Sequence, residues 1–192
     1  MQFLVKTPGK ITGRAKEYGW LFVALIAGSV IFFGYILHKH IMRSSSCAGW
    51  EGSTEWLGFD GVVRQTNPNT CGPAAMKMIF DHYEVVSNLE ELEKNVALTP
   101  EGISMMALKG IAEKYGLRAA GWKFSPEDLP GISFPAIFFV RGNHYIVADS
   151  FANATGLYLR DPSCGRMLVR REMLLQLWSG ESIVFSRNAM KP

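Results

Sequence analysis

The chain has 192 residues, 48% hydrophobic and 19% charged, with a net charge of +3. It is too apolar for a disordered chain, and 19 Gly and nine Pro without a period exclude a collagen-like or low-complexity protein. The charge is divided: residues 1–43 carry six Lys/Arg against Glu17, whereas the remainder has a small acidic excess, which argues against a nucleic-acid partner.

Residues 1–19 form a short basic N-terminal segment. Residues 20–38 then read WLFVALIAGSVIFFGYILH, without a Lys, Arg, Asp or Glu. At 1.5 Å per residue this length crosses a bilayer as a helix. Tyr18, Trp20 and Tyr35 lie near its ends, where amphipathic rings favour the interface. A cleaved signal peptide has a shorter apolar core ending in small residues, and this core runs into His38-Lys39-His40. Four Lys/Arg precede the span and two follow it. The positive-inside rule therefore places the N-terminus in the cytoplasm and exports the rest, with a cytoplasm-facing domain as the alternative.

Residues 39–60 are Ser- and Gly-rich past Arg43 and read as a stalk. Residues 61–186 are long enough for one core, and 187–192 form a tail. Helical signals come first. Thr70-Cys71-Gly72-Pro73 opens a run AAMKMIFDHY, with Pro in the first turn. Asn88 caps LEELEKNV. A third helix, ISMMALKGIAEKYG, stops at Gly116. Ser125-Pro126 opens a short capped turn.

Strand signals follow. They cover 117–120, 134–140, 144–149, 156–162 and 166–169; a helix over 171–178 precedes a last strand over 182–185. Helices first and antiparallel strands second give an α+β class.

Cys71 stands where a helix begins, so N-terminal N–H groups and the helix dipole favour a thiolate, the nucleophilic form of cysteine. Such a nucleophile needs a base, usually His, held by a third group. His38 and His40 flank the apolar stretch, and His82 is at the far end of the Cys71 helix. His144 is the remaining partner. Asp161 is the leading orienting acid, at the end of a strand that would pair with 144–149. Asp149 is its rival, but lies five residues from His144 on one strand and so faces the other side. Gln65 has an amide suited to a developing oxyanion, with the Cys71 backbone N–H as second donor. Each residue also has a plain structural reading: a buried thiol, a core histidine, a turn aspartate. No Cys/His spacing suits a metal and no phosphate-binding glycine loop occurs, so no metal or cofactor is expected.

The run Gln65-Thr66-Asn67-Pro68-Asn69-Thr70-Cys71-Gly72-Pro73-Ala74-Ala75 resembles the nucleophile motif of the bacteriocin-processing, double-glycine-leader cysteine peptidases. Thr99-Pro100-Glu101-Gly102-Ile103-Ser104, Phe134-Pro135-Ala136-Ile137 with Asn143-His144-Tyr145-Ile146-Val147, Asp161-Pro162 with Gly165, and Trp178-Ser179-Gly180 resemble further blocks of that family, in order. The resemblance spans about residues 60–185. It implies a papain-like α+β domain, helices packed on an antiparallel sheet, here preceded by one transmembrane helix. It also implies Cys71 as nucleophile, His144 as general base and acid, Asp161 as orienter and Gln65 as oxyanion donor. The implied activity is cysteine-type endopeptidase, acting on a peptide or protein substrate such as a leader or propeptide.

Familiar members of that family are cytosolic domains of exporters with several spans and an ATPase. A single anchor and an exported domain point instead to the bacterial cytoplasmic membrane and to an envelope or secretion-system partner. In an oxidising space Cys47 and Cys164 can pair and leave Cys71 free, but two independent thiols are the favoured reading because Cys47 lies in a flexible stalk. From another functional class stands a non-catalytic peptide-binding or scaffolding module that keeps the fold.

Overall fold

The computed structural model describes residues 23–35 and 47–187, except 48, 51–53 and 97. The chain divides into two compact units, Met1–Ser45 and Ser46–Pro192. In the first, residues 23–35 are helical and exposed. Among the described residues no helix is long and apolar enough to cross a membrane. The span expected over 20–38 runs beyond the described residues at both ends, and the tail expected over 187–192 lies outside them after Arg187.

The second unit is built on a seven-stranded antiparallel sheet. Its strands are β1 (Thr54–Gly58), β2 (Leu117–Lys123), β3 (Ala136–Val140), β4 (His144–Asn153), β5 (Gly156–Asp161), β6 (Gly165–Arg170) and β7 (Trp178–Arg187). Their order across the sheet is β1-β6-β5-β4-β3-β7-β2. Among the described residues four α-helices accompany it, α1 (Cys71–His82), α2 (Leu89–Lys94), α3 (Met105–Lys114) and α4 (Arg171–Leu177), with a short 3₁₀ turn over Pro126–Gly131. The α+β class follows from this arrangement. The expected strands all form, and 178–187 makes a longer closing strand than the four residues expected from sequence. Residues 54–58, read from sequence as stalk, pair with β6 as the edge strand.

Side chains alternate across β4 and divide the interior in two. Tyr145 and Val147 join α1 and α3 in one apolar cluster with Met76, Ile79, Phe80 and Leu108. Ile146 and Ala148 join the other, with Phe138, Leu157, Leu159, Leu174 and Trp178. Phe138 and Trp178 stack there at 4.5 Å between ring centres.

Helix α1 is the central helix. Every residue from Cys71 to Phe80 except Lys77 is buried, so its apolar surface is nearly continuous. Lys77 pairs with Asp81 one turn on. Gly72 lets its first turn pack closely against the segment before α3: a Cβ there would run into the Ile103 side chain. Asn88 accepts the Glu90 N–H at 2.8 Å, and Ser104 accepts the Ala107 N–H at 3.2 Å, fixing the starts of α2 and α3.

Candidate active site

Cys71 is the first residue of α1, His144 the first of β4 and Asp161 the last of β5. Antiparallel pairing of Val147 with Arg160 brings the end of β5 beside the start of β4. Continued by one pair, that register sets Asp161 opposite Ile146 and diagonal to His144 on the same face. The His144 Nε2–H donates to Asp161 Oδ1 at 2.8 Å. His144 also interacts electrostatically with the Cys71 side chain, Nδ1 being the ring nitrogen not bonded to Asp161. Cys71, His144 and Asp161 are thus one connected set. They are 3%, 9% and 0% exposed.

Burial alone would lower the His144 pKa. Hydrogen bonds to Asp161 and Cys71 and attraction to both overcome it and raise the value to about 9. Burial likewise favours the neutral form of Asp161, and the His144 and Ser163 contacts outweigh it, holding the carboxyl below its ordinary range. Tyr145, next to His144, is pushed up to about 12 by burial and by the charge of Cys71. Its phenol donates to the Ile103 carbonyl at 2.9 Å.

Asp161 is also the turn residue that its place before Pro162 suggests. Oδ1 accepts the Ser163 N–H at 2.8 Å and its hydroxyl at 2.7 Å, an Asx-type turn. Oδ2 accepts the Trp50 indole N–H at 3.2 Å in a buried bond. Asp149, the rival acid, is engaged elsewhere: Arg160 holds both its oxygens, Nε to Oδ2 at 2.9 Å and Nη2 to Oδ1 at 2.7 Å. His82 ends α1 and is exposed.

Gln65 lies in the loop leading to Cys71, and its N–H donates to the Pro162 carbonyl at 3.2 Å, tying that loop to the Asp161 turn. Its side-chain amide donates to the Asn67 carbonyl at 2.9 Å. Thr70, at the N-cap of α1, accepts the N–H groups of Thr66 and Asn67 at 3.1 and 3.0 Å, and its side chain does not cap the helix. The Thr70 side chain therefore shapes the loop and leaves the first-turn N–H groups of α1 uncovered by a cap.

Sequence reasoning missed Ser163 and Trp50. The Asp-Pro-Ser order is a readable turn signal for Ser163. Nothing local pointed to Trp50, which lies 111 residues from Asp161. Cys47 and Cys164 form a disulfide with Cα atoms 5.4 Å apart, and Cys71 is the free thiol. Among the described residues no His/Cys/Asp/Glu group suits a metal ion.

Residues 60–190 match the family described as Peptidase C39 family. The chain belongs to the peptidase C39 family. It is similar to the double-glycine bacteriocin-processing domains, which are cysteine peptidases. A crystal structure of a double glycine motif protease from an AMS/PCAT transporter, in complex with the leader peptide, superposes with a TM-score of 0.64 at 26% identity. That match covers 66% of this chain and 91% of that one. An uncharacterized protein of Methanothermobacter thermautotrophicus is 30% identical over 68% of this chain and 92% of its own length. The probable functional amyloid protease FapD of Pseudomonas fluorescens is 28% identical over 67% of this chain and 60% of its own. The colicin V secretion/processing ATP-binding protein CvaB of Escherichia coli is 25% identical over 64% of this chain and 17% of its own length.

Proposed function

We propose that this chain is a membrane-anchored cysteine endopeptidase that trims a leader or propeptide from a secreted or membrane-bound peptide. The observation that carries the reading is the buried His144–Asp161 hydrogen bond beside Cys71, the first residue of α1, whose side chain interacts with His144. In this mechanism the Cys71 sulfur attacks the scissile carbonyl carbon while His144 holds the thiol proton as an imidazolium. The Gln65 amide and the Cys71 backbone N–H donate to the oxyanion, so Gln65 exchanges the Asn67 carbonyl for it. Collapse breaks the C–N bond, and His144 gives its proton to the leaving amine. Water then hydrolyses the thioester with His144 as base. Asp161 keeps the ring oriented and stabilises its charged form.

The anchor is supported by the apolar, uncharged run 20–37 and by the described helix within it, whose Leu25, Ile31 and Phe33 are all exposed. An extracytoplasmic domain is supported by the positive charge before the span and by the Cys47–Cys164 bond, since disulfides persist in oxidising compartments. The outward orientation is what separates this chain from exporter-fused relatives, and it suggests a secretion or envelope assembly as partner.

The test is thiol reactivity. Cys71 is the free cysteine, so iodoacetamide labelling of the full chain reads it directly. Labelling at pH 6 should exceed that of a model thiol and fall at least tenfold in His144→Ala. Labelling no faster than a model thiol, and indifferent to His144, contradicts the enzyme. Gln65→Ala should lower kcat by about 10²–10³ with little change in KM.

A further inference from the structure

The Asp161 carboxylate is held from two directions by parts of the chain remote in sequence. Its Oδ1 serves His144 and the Ser163 turn. Its Oδ2 receives the Trp50 indole N–H. Trp50 is only 4% exposed although it lies within the segment that reads as a stalk. Three features keep it there. The turn Cys47–Trp50 closes with the Trp50 N–H on the Cys47 carbonyl at 3.3 Å. Cys47 is bonded to Cys164, whose own N–H points at Asp161 Oδ1 from 3.3 Å. The Arg141 guanidinium lies over the Trp50 ring, 5.2 Å from its centre. Arg141 itself has a left-handed φ of 57° in the turn before His144, a conformation disfavoured for a side-chain-bearing residue. Its N–H donates to the Leu177 carbonyl at 2.7 Å. The indole therefore fills the space between the Asp161 carboxylate and the hairpin that presents His144.

We propose that Trp50 is a positioning residue of the peptidase, seated by the Cys47–Cys164 disulfide, and that the Cys71–His144–Asp161 set works at full rate only while that bond is intact. The inference rests on the peptidase reading of that set. Trp50 touches no reacting atom. It fixes one carboxylate oxygen so that the other stays on His144, and it closes the pair to water. A dithiol reductant that is itself oxidised to a disulfide delivers two electrons and two protons to Cys47 and Cys164. The sulfur–sulfur bond then breaks, and the 47–50 turn loses its covalent tie to the Asp161 turn. Activity is thereby confined to an oxidising compartment. The charged and titratable groups facing Asp161 and its partner are Arg141, His144 and, through His144, Cys71.

Cys71 is the free thiol in the wild type and remains so when Cys47 and Cys164 are both Ser, so iodoacetamide reports on it in every variant. Trp50→Phe keeps the ring and removes only the N–H. Hydrogen bonds to charged groups are worth enough that its loss should slow Cys71 alkylation at pH 6 about 10- to 100-fold. The acid limb of the alkylation profile should move to higher pH, because a carboxylate that loses a donor binds its proton more tightly. Cys47→Ser/Cys164→Ser should give the same loss, and adding Trp50→Phe to it should cost little more, since both act through one contact. Wild-type rate and profile in Trp50→Phe, or losses that add, overturn the proposal. If the wild-type thiol proves inert the peptidase reading fails instead. The positioning claim is then decided by nitrogen-15 NMR of the full chain in detergent. The Trp50 indole N–H should exchange slowly in the wild type and rapidly in the Cys47→Ser/Cys164→Ser variant; equal protection in both overturns it.

Discussion

Asp161 shows how one carboxylate can hold a turn and a histidine together. Its Oδ1 closes the Ser163 turn and accepts from His144 through the same atom. The turn and catalytic readings, which the sequence sets against each other, are therefore compatible. The rival Asp149 loses its claim to Arg160, an ion pair visible only once β4 and β5 are in register. The pH behaviour follows from His144. A raised folded-state value means that its contribution to stability is complete below about pH 6.5. That contribution is lost as pH rises through about 9. For Asp161 the sign is opposite: its contribution holds above the ordinary carboxylate range and fades as pH falls through its lowered value. We expect the alkaline limb of kcat/KM near pH 9, where the imidazolium needed by the leaving amine disappears. Asp161→Asn should move that limb to lower pH and cut kcat about 10- to 100-fold. An unmoved limb in a pH–rate profile would separate Asp161 from the proton chemistry.

The elements were largely legible because their signals are local. Pro73 in the first turn, Asn88 and Ser104 at caps, Gly116 after a helix and alternating apolar residues along 144–149 all act over a few residues. The edge strand β1 was not legible. Only pairing with β6, more than 100 residues away, distinguishes 54–58 from the Ser/Gly-rich run before it. Gly165 secures that edge: its φ is +107°, and a Cβ there would meet the Gly58 carbonyl and the Trp56 indole. The register that delivers Asp161 to His144 is likewise a property of two strands together, which spacing along either one does not contain. Gly72 tests the close seating of α1. Gly72→Ala forces a methyl into Ile103 and should destabilise the fold by about 1–3 kcal/mol, measured by denaturant unfolding. Wild-type stability in that variant would mean that the first turn has room to spare.

For the molecule as a whole, the +3 charge resolves into a basic segment around an apolar stretch and a mildly acidic remainder. That division says more about insertion and orientation than about any anionic ligand. The disulfide agrees with the proposed outward orientation, since disulfides persist in oxidising spaces. A reporter fused to the C-terminus should accordingly be active outside the cytoplasm, and a cytoplasmic signal would overturn the orientation. The central claim, that Cys71 cuts an exported peptide, is tested most directly by mapping peptide termini by mass spectrometry. The secreted and membrane fractions of cells carrying the wild-type chain are compared with those of cells carrying Cys71→Ala. The account predicts at least one peptide that keeps its leader or propeptide only in Cys71→Ala cells; identical termini in the two strains would contradict it.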